Sequence, residues 1–180
     1  MLKLTIPESE YWDPVKEEFL YEPPFNLSLE HSLVSVSKWE SKYHTPFIGS
    51  QHTQDQILDY VKFMTLTQNV PEKVYNRITE SIMQKIMDYI TDTMTATTFV
   101  ESNKKRMGYQ VLTSEEIYYC MVRYGIPFEC QKWHLNRLLA LIRVCNEKNN
   151  EDSNKMSKKD IYTQNHELNR QRREKLNSLG

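Results

Sequence analysis

Glycine is scarce in this chain: it occupies four of 180 positions, at 49, 108, 125 and 180, roughly a third of the ~7% usual in proteins. A sheet-rich fold turns often and tightly, and tight turns draw on glycine for backbone conformations that other residues avoid. The sequence therefore predicts a mainly α fold, with helical periodicity carrying most of the organisation. Hydrophobic residues at 39%, charged residues at 26% and a net charge of -1 exclude both a disordered and a membrane composition for the chain as a whole. No apolar run approaches the ~18 residues needed to span a bilayer, and MLKLTIPESEYWD is too short in apolar residues for a signal peptide, so a cytosolic location is expected. Three cysteines, Cys120, Cys130 and Cys145, sit among apolar neighbours and read as reduced, buried thiols.

The near-neutral total hides segregation. Residues 1–30 carry seven acidic side chains against Lys3 and Lys16, a local charge of -5. Alternation in residues 2–6 and 25–29, with Phe19-Leu20-Tyr21 as a third short piece, predicts a small β-ribbon, which Pro7, Pro14 and the Pro23-Pro24 pair punctuate. From Ser32 the period changes. Leu33, Val36, Trp39 and Tyr43 predict a helix ending before Pro46, and Ile57, Leu58, Val61 and Met64 a second. Pro71 opens a short helix through Val74 and Ile78, and Thr79 starts a longer one with Ile82, Ile86, Tyr89 and Ile90 as its stripe. Residues 94–100 and 111–112, either side of a basic turn, suggest a hairpin.

Thr113 and Glu116 have capping-box spacing ahead of Ile117, Cys120, Met121 and Tyr124, and Gly125 is placed to end that helix. Pro127 then opens a last core helix carrying Trp133, Leu135, Leu138, Leu139, Ile142 and Cys145, expected to pack with its predecessor as a hairpin. NEKNNEDSN, starting at Asn146, reads as a linker, and residues 155–180, with seven Lys and Arg against three acids, as a basic amphipathic arm that is disordered alone and orders on a surface. The expected organisation is an acidic ribbon over 1–30, a helical domain over 31–146 and a linker with a flexible charged arm over 147–180.

Chemistry finds little to work with. Five histidines show no pair at one-turn spacing and there is no HExxH or CxxC; Cys130 and His134, four apart, are the one metal-like pair, and a buried thiol beside a hydrogen-bonded histidine describes them as well. The same pair fails as a nucleophile and base for want of an electropositive setting and a third orienting group. Scattered glycines make no phosphate cradle. The expectation is a protein without catalytic, metal or cofactor-binding residues.

Contact with macromolecules has better material. Eleven tyrosines and three tryptophans exceed what a core needs, and Tyr11, Trp12 and Tyr21 in the acidic segment, with Tyr118 and Tyr119 on a helix, are candidates for a protein interface. Arg170, Arg172 and Arg173 in the arm are the charged candidates. Lys104-Lys105-Arg106 and the arm could also neutralise phosphates, which keeps a nucleic-acid-binding regulator as a third reading, though only Tyr162 lies near for stacking. The arm could equally meet an acidic protein surface, including another copy of the ribbon, so self-association is open as well.

LEHSLVSVSKWESKYHTPF at 29–47, ILDYVKFMTLTQNV at 57–70, MTATTF at 94–99, LTSEEIYYCMVRYGIPFECQKWHLNRLLALIRVCNEKN at 112–149 and the ending MSKKDIYTQNHELNRQRREKLNSLG together resemble a small protein family of tailed bacteriophages, of the tail assembly chaperone type. Cys120 stands where relatives are expected to carry Trp. The resemblance implies a non-catalytic protein of the host cytoplasm during phage assembly. Its implied partners are the tape measure protein and tail tube subunits. A structural minor tail or neck protein of the virion is the alternative that the same resemblance allows.

Overall fold

The computed structural model describes residues 1–99, 112–154, 166–167 and 170–171. Among them are four short strands and six α-helices: β1 (Leu2–Ile6), β2 (Ser9–Asp13), β3 (Glu18–Glu22), β4 (Phe25–Leu29), α1 (Leu33–Tyr43), α2 (Gln54–Met64), α3 (Glu72–Asn76), α4 (Glu80–Thr91), α5 (Ser114–Arg123) and α6 (Leu135–Asn154), with a 3-10 turn at Phe128–Lys132. The fold is mainly helical with two small antiparallel sheets, β1 with β4 and β2 with β3. It divides into two units, Met1–Ile142 and Arg143–Gly180. No helix among the described residues is long and apolar enough to cross a membrane.

One register runs through both sheets. Leu2 faces Leu29, Ile6 faces Phe25, Ser9 faces Glu22 and Asp13 faces Glu18, so Pro7 falls opposite Pro24 and Glu8 opposite Pro23. Prolines lack the N–H that a ladder needs, and here three of the four residues at the interruption are proline. The four strands are thus one long hairpin broken at its middle. Its proximal half is locked in place. Ile6, Leu27 and Leu29 are fully buried, and residues 64–67 line the outer edge of β4: the Glu30 amide donates to the Met64 carbonyl at 2.9 Å and the Leu66 amide to the Ser28 carbonyl at 2.8 Å.

The core of the first unit collects Leu33, Val36 and Trp39 from α1, Tyr60, Val61 and Met64 from α2, Ile86 from α4, Ile117 and Met121 from α5, and Leu135 and Leu138 from α6. Each is on the stripe its helical period requires. Side-chain caps start four of the helices: Ser32 on α1, Thr79 on α4, and full capping boxes Thr53 with Gln56 on α2 and Thr113 with Glu116 on α5. Gly125 follows α5 at φ 64°, the left-handed position where a Cβ is strained.

Four expectations need correction. First, residues 94–99 form no strand; Leu112 bridges to Ile48 instead, and the rest of the expected hairpin lies outside the described residues. Second, Pro127 opens a 3-10 turn and not the last helix, because Trp133 is extended, His134 bridges to Ser32 and the Leu135 amide donates to the His31 carbonyl at 2.7 Å. Third, α5 packs chiefly on α1, as does the 3-10 turn, where a hairpin with the last helix is expected. Fourth, α6 runs on to Asn154 through the expected linker. Two smaller differences go with these. Of the cysteines Cys130 is buried, while Cys120 and Cys145 are half-buried, and Pro71 precedes a helix that closes at Asn76, short of Ile78.

Candidate protein-binding surface

The distal half of the hairpin, β2 and β3, begins where the core ends. Arg77 holds its base: one guanidinium nitrogen donates to the carbonyls of Pro7 at 3.2 Å, Glu22 at 3.2 Å and Pro23 at 3.1 Å. Both strands are thereby tied at the proline break, where the ladder supplies no bonds of its own. Lys73 of α3 pairs with Glu22 beside it. At the far end the Asp13 carboxylate accepts the amides of Val15 at 2.9 Å and Lys16 at 3.3 Å, an Asx-type turn that closes the hairpin with Glu17 at φ 54°.

Between these fixed ends the rings lie open. Trp12 is 50% exposed, Phe19 68%, Tyr21 58% and Tyr11 45%. Because side chains alternate across a strand and paired residues share a face, Glu10, Trp12, Phe19 and Tyr21 stand on one face and Tyr11 with Leu20 on the other. Trp12 and Phe19 meet edge to face with centroids 5.1 Å apart. The Tyr21 hydroxyl donates to Glu8 at 2.7 Å, a bond that raises the phenol's pKa. Of residues 8–22, six are acidic and Lys16 is the one cation, a charge of -5. The net charge of the first 30 residues is therefore that of this distal half, since Lys3 and Glu30 outside it cancel.

The two helical tyrosines separate. Tyr119 is exposed, with Val122 one turn on and Phe128 beyond also exposed, whereas Tyr118 is half-buried and its hydroxyl donates to Gln131 at 2.9 Å. Of the basic candidates, Arg170 pairs with Glu167 at 2.7 Å; Arg172 and Arg173 lie outside the described residues. Phe19, Glu8, Lys73 and Arg77 join the surface without being interface candidates from sequence. Phe19 lies in the extended Phe19-Leu20-Tyr21 piece and is grouped with Trp12 by the register; nothing local to Arg77 marks it.

A second polar cluster is internal. His31 Nδ1 lies 2.5 Å from the Tyr60 hydroxyl, its ring centroid is 5.0 Å from that of His134, and His134 Nε2 bonds the Tyr89 carbonyl at 2.9 Å. Burial, with the His134 ring beside it, pushes His31 down to about 3, so the ring is neutral at pH 7. It lines a cavity of about 300 Å³ together with Thr91, Asn136 and apolar neighbours. The other polar groups of that wall are spent on backbone: Thr91 donates to the Met87 carbonyl at 3.0 Å, and Asn136 to those of Ile90 at 2.9 Å and Asp92 at 2.6 Å. The cluster ties together the link between β4 and α1, helices α2 and α4, and the start of α6. Among the described residues no three His, Cys, Asp or Glu converge as metal ligands.

No family model matches this sequence, and comparisons with curated proteins and with solved structures give no match either.

Proposed function

We propose that this protein is a non-catalytic assembly chaperone of long bacteriophage tails, binding the tape measure protein, tail tube subunits, or both, during tail construction. The observation that carries the protein-binding part is the distal hairpin: four aromatic side chains exposed to solvent on a ribbon clamped at its base and closed at its tip. Exposed aromatic area on a fixed element is costly to leave bare and cheap to dock, because little entropy remains to be lost. The tail-assembly part rests on the sequence blocks that resemble the phage family. A chaperone must also release its client, which suits a surface of this small size.

Co-expression with the tape measure protein and with the tail tube protein tests the reading. Co-purification with either, and absence from purified virions by mass spectrometry, is the expected pair of results. Fixed stoichiometry in the virion would instead make the protein a structural tail or neck component. Failure to co-purify, with normal tails after deletion of the gene, would sink both.

A further inference from the structure

The hairpin face that carries Trp12, Phe19 and Tyr21 is, we infer, a docking site for a cationic segment of a partner protein, one that lays Arg or Lys side chains across these rings. The inference rests on the reading of the hairpin as a protein-binding element and adds the chemistry of what it binds.

The alternation that puts Leu2, Leu4, Ile6, Phe25, Leu27 and Leu29 on one face of the proximal half, with Ile6, Leu27 and Leu29 buried and the other three half-buried, continues in the same register into Trp12, Phe19 and Tyr21. The apolar stripe of one ribbon thus runs past the edge of the core and stays uncovered. Among the described residues no strand pairs with the outer edge of β2 or of β3. What covers the face is decided by charge. Glu8 and Glu10 share it with the rings, and Glu17 and Glu18 stand at the tip. A purely apolar partner would strip water from Glu8 and Glu10 and return nothing. A second copy of the hairpin would bring its own -5 against this one, and nucleic acid or an anionic membrane would be repelled alike. A cation gains from both components at once, attracted by the negative ring faces and by the flanking carboxylates.

The rings are set for it. Edge-to-face contact of Trp12 with Phe19 leaves a ring face free, and the Glu8 bond fixes the Tyr21 phenol. The same chain shows the intended geometry elsewhere, where the Arg137 guanidinium lies 4.4 Å from the centre of the Trp133 ring.

The test uses the purified full chain and a labelled peptide of alternating arginine and leucine, with the same peptide carrying glutamate for arginine as the counterpart. The arginine peptide should bind, and lose at least about tenfold in affinity between 50 and 500 mM salt. Trp12→Ala and Glu10→Lys should each weaken it about tenfold or more, and Ser81→Ala on α4 should leave it unchanged. All three side chains are exposed, so circular dichroism and thermal midpoints should stay put. Equal binding of the glutamate peptide, no binding of either, or insensitivity to Glu10→Lys would overturn the inference. So would far tighter competition by a peptide of residues 155–180, which would give the site to the chain's own basic segment. Co-purification with a tail protein that survives Glu10→Lys would leave the chaperone reading standing while this one falls.

Discussion

His31 and Glu40 are buried polar residues with opposite consequences. The folded His31 holds its proton only below about pH 3, against the ordinary 6.5 of an exposed imidazole. The unfolded chain therefore binds the extra proton between those values, and stability that is complete above pH 6.5 drains as pH falls toward 3, by on the order of 5 kcal/mol in total. Asp59 adds to this at the lowest pH: Lys42, Tyr43 and Lys62 hold its carboxyl down to about 2, and that smaller, solvent-screened contribution is lost as pH falls through the same value. Urea midpoints at pH 7, 5 and 4 should show the decline, and His31→Asn, which keeps an acceptor near Tyr60, should flatten it while costing about 1–2 kcal/mol at pH 7. An unchanged slope in that variant would place the acid sensitivity elsewhere. Glu40, 8% exposed, accepts the amide of Phe47 at 2.8 Å and of Ser114, the first residue of α5, at 2.8 Å. Glu40→Ala leaves both amides without an acceptor and should cost about 2–4 kcal/mol. Glu40→Gln keeps one acceptor oxygen and should fall between, as chemical denaturation will show.

At the scale of elements, Arg77 matters most, since α3 is too short to position much else. Its guanidinium reaches three carbonyls across the proline break through one nitrogen, Nη1, which lies one bond farther from the backbone than a lysine Nζ. Arg77→Ala should cost about 1–2 kcal/mol, and Arg77→Lys should recover little of it. Hydrogen exchange should then quicken in residues 9–22 and stay slow in residues 25–29, whose edge is bonded to residues 64–67. Equal quickening in both halves would mean that the break does not uncouple them. How legible each element was follows from whether its cause is local. Thr113 and Glu116 cap α5 within four residues, so its start is legible in the sequence. Trp133 and His134 fit a helical period, so only the bridge to Ser32, a hundred residues away in sequence, shows why the helix starts at Leu135. SEYWD hides its strand because Tyr11 and Trp12, adjacent and both aromatic, blur the alternation. Composition marks Tyr11, Trp12 and Tyr21 as interface candidates, but only the register groups Trp12 with Phe19 and Glu10 on one face.

For the whole molecule, charge and core are distributed differently along the chain. Every fully buried large side chain among the described residues lies between Ile6 and Leu138, inside the Met1–Ile142 unit. Residues 155–180 carry +4 of charge in a chain of total -1, so ending the chain at Asn154 takes the net charge from -1 to -5. Removing these residues should then shift the thermal midpoint by less than about 2 °C, the scale of a surface change. Binding of the arginine peptide should respond instead. With the repelling charge gone, affinity should rise several-fold at 50 mM salt and match the full chain at 500 mM, where screening confines each charge to about 4 Å. A large fall in thermal midpoint would show that residues 155–180 contribute to the folded core. An affinity gain that persists at 500 mM would point to direct occupancy of the hairpin by those residues through apolar contacts, because neither a long-range field nor a purely ionic contact keeps its strength at that salt.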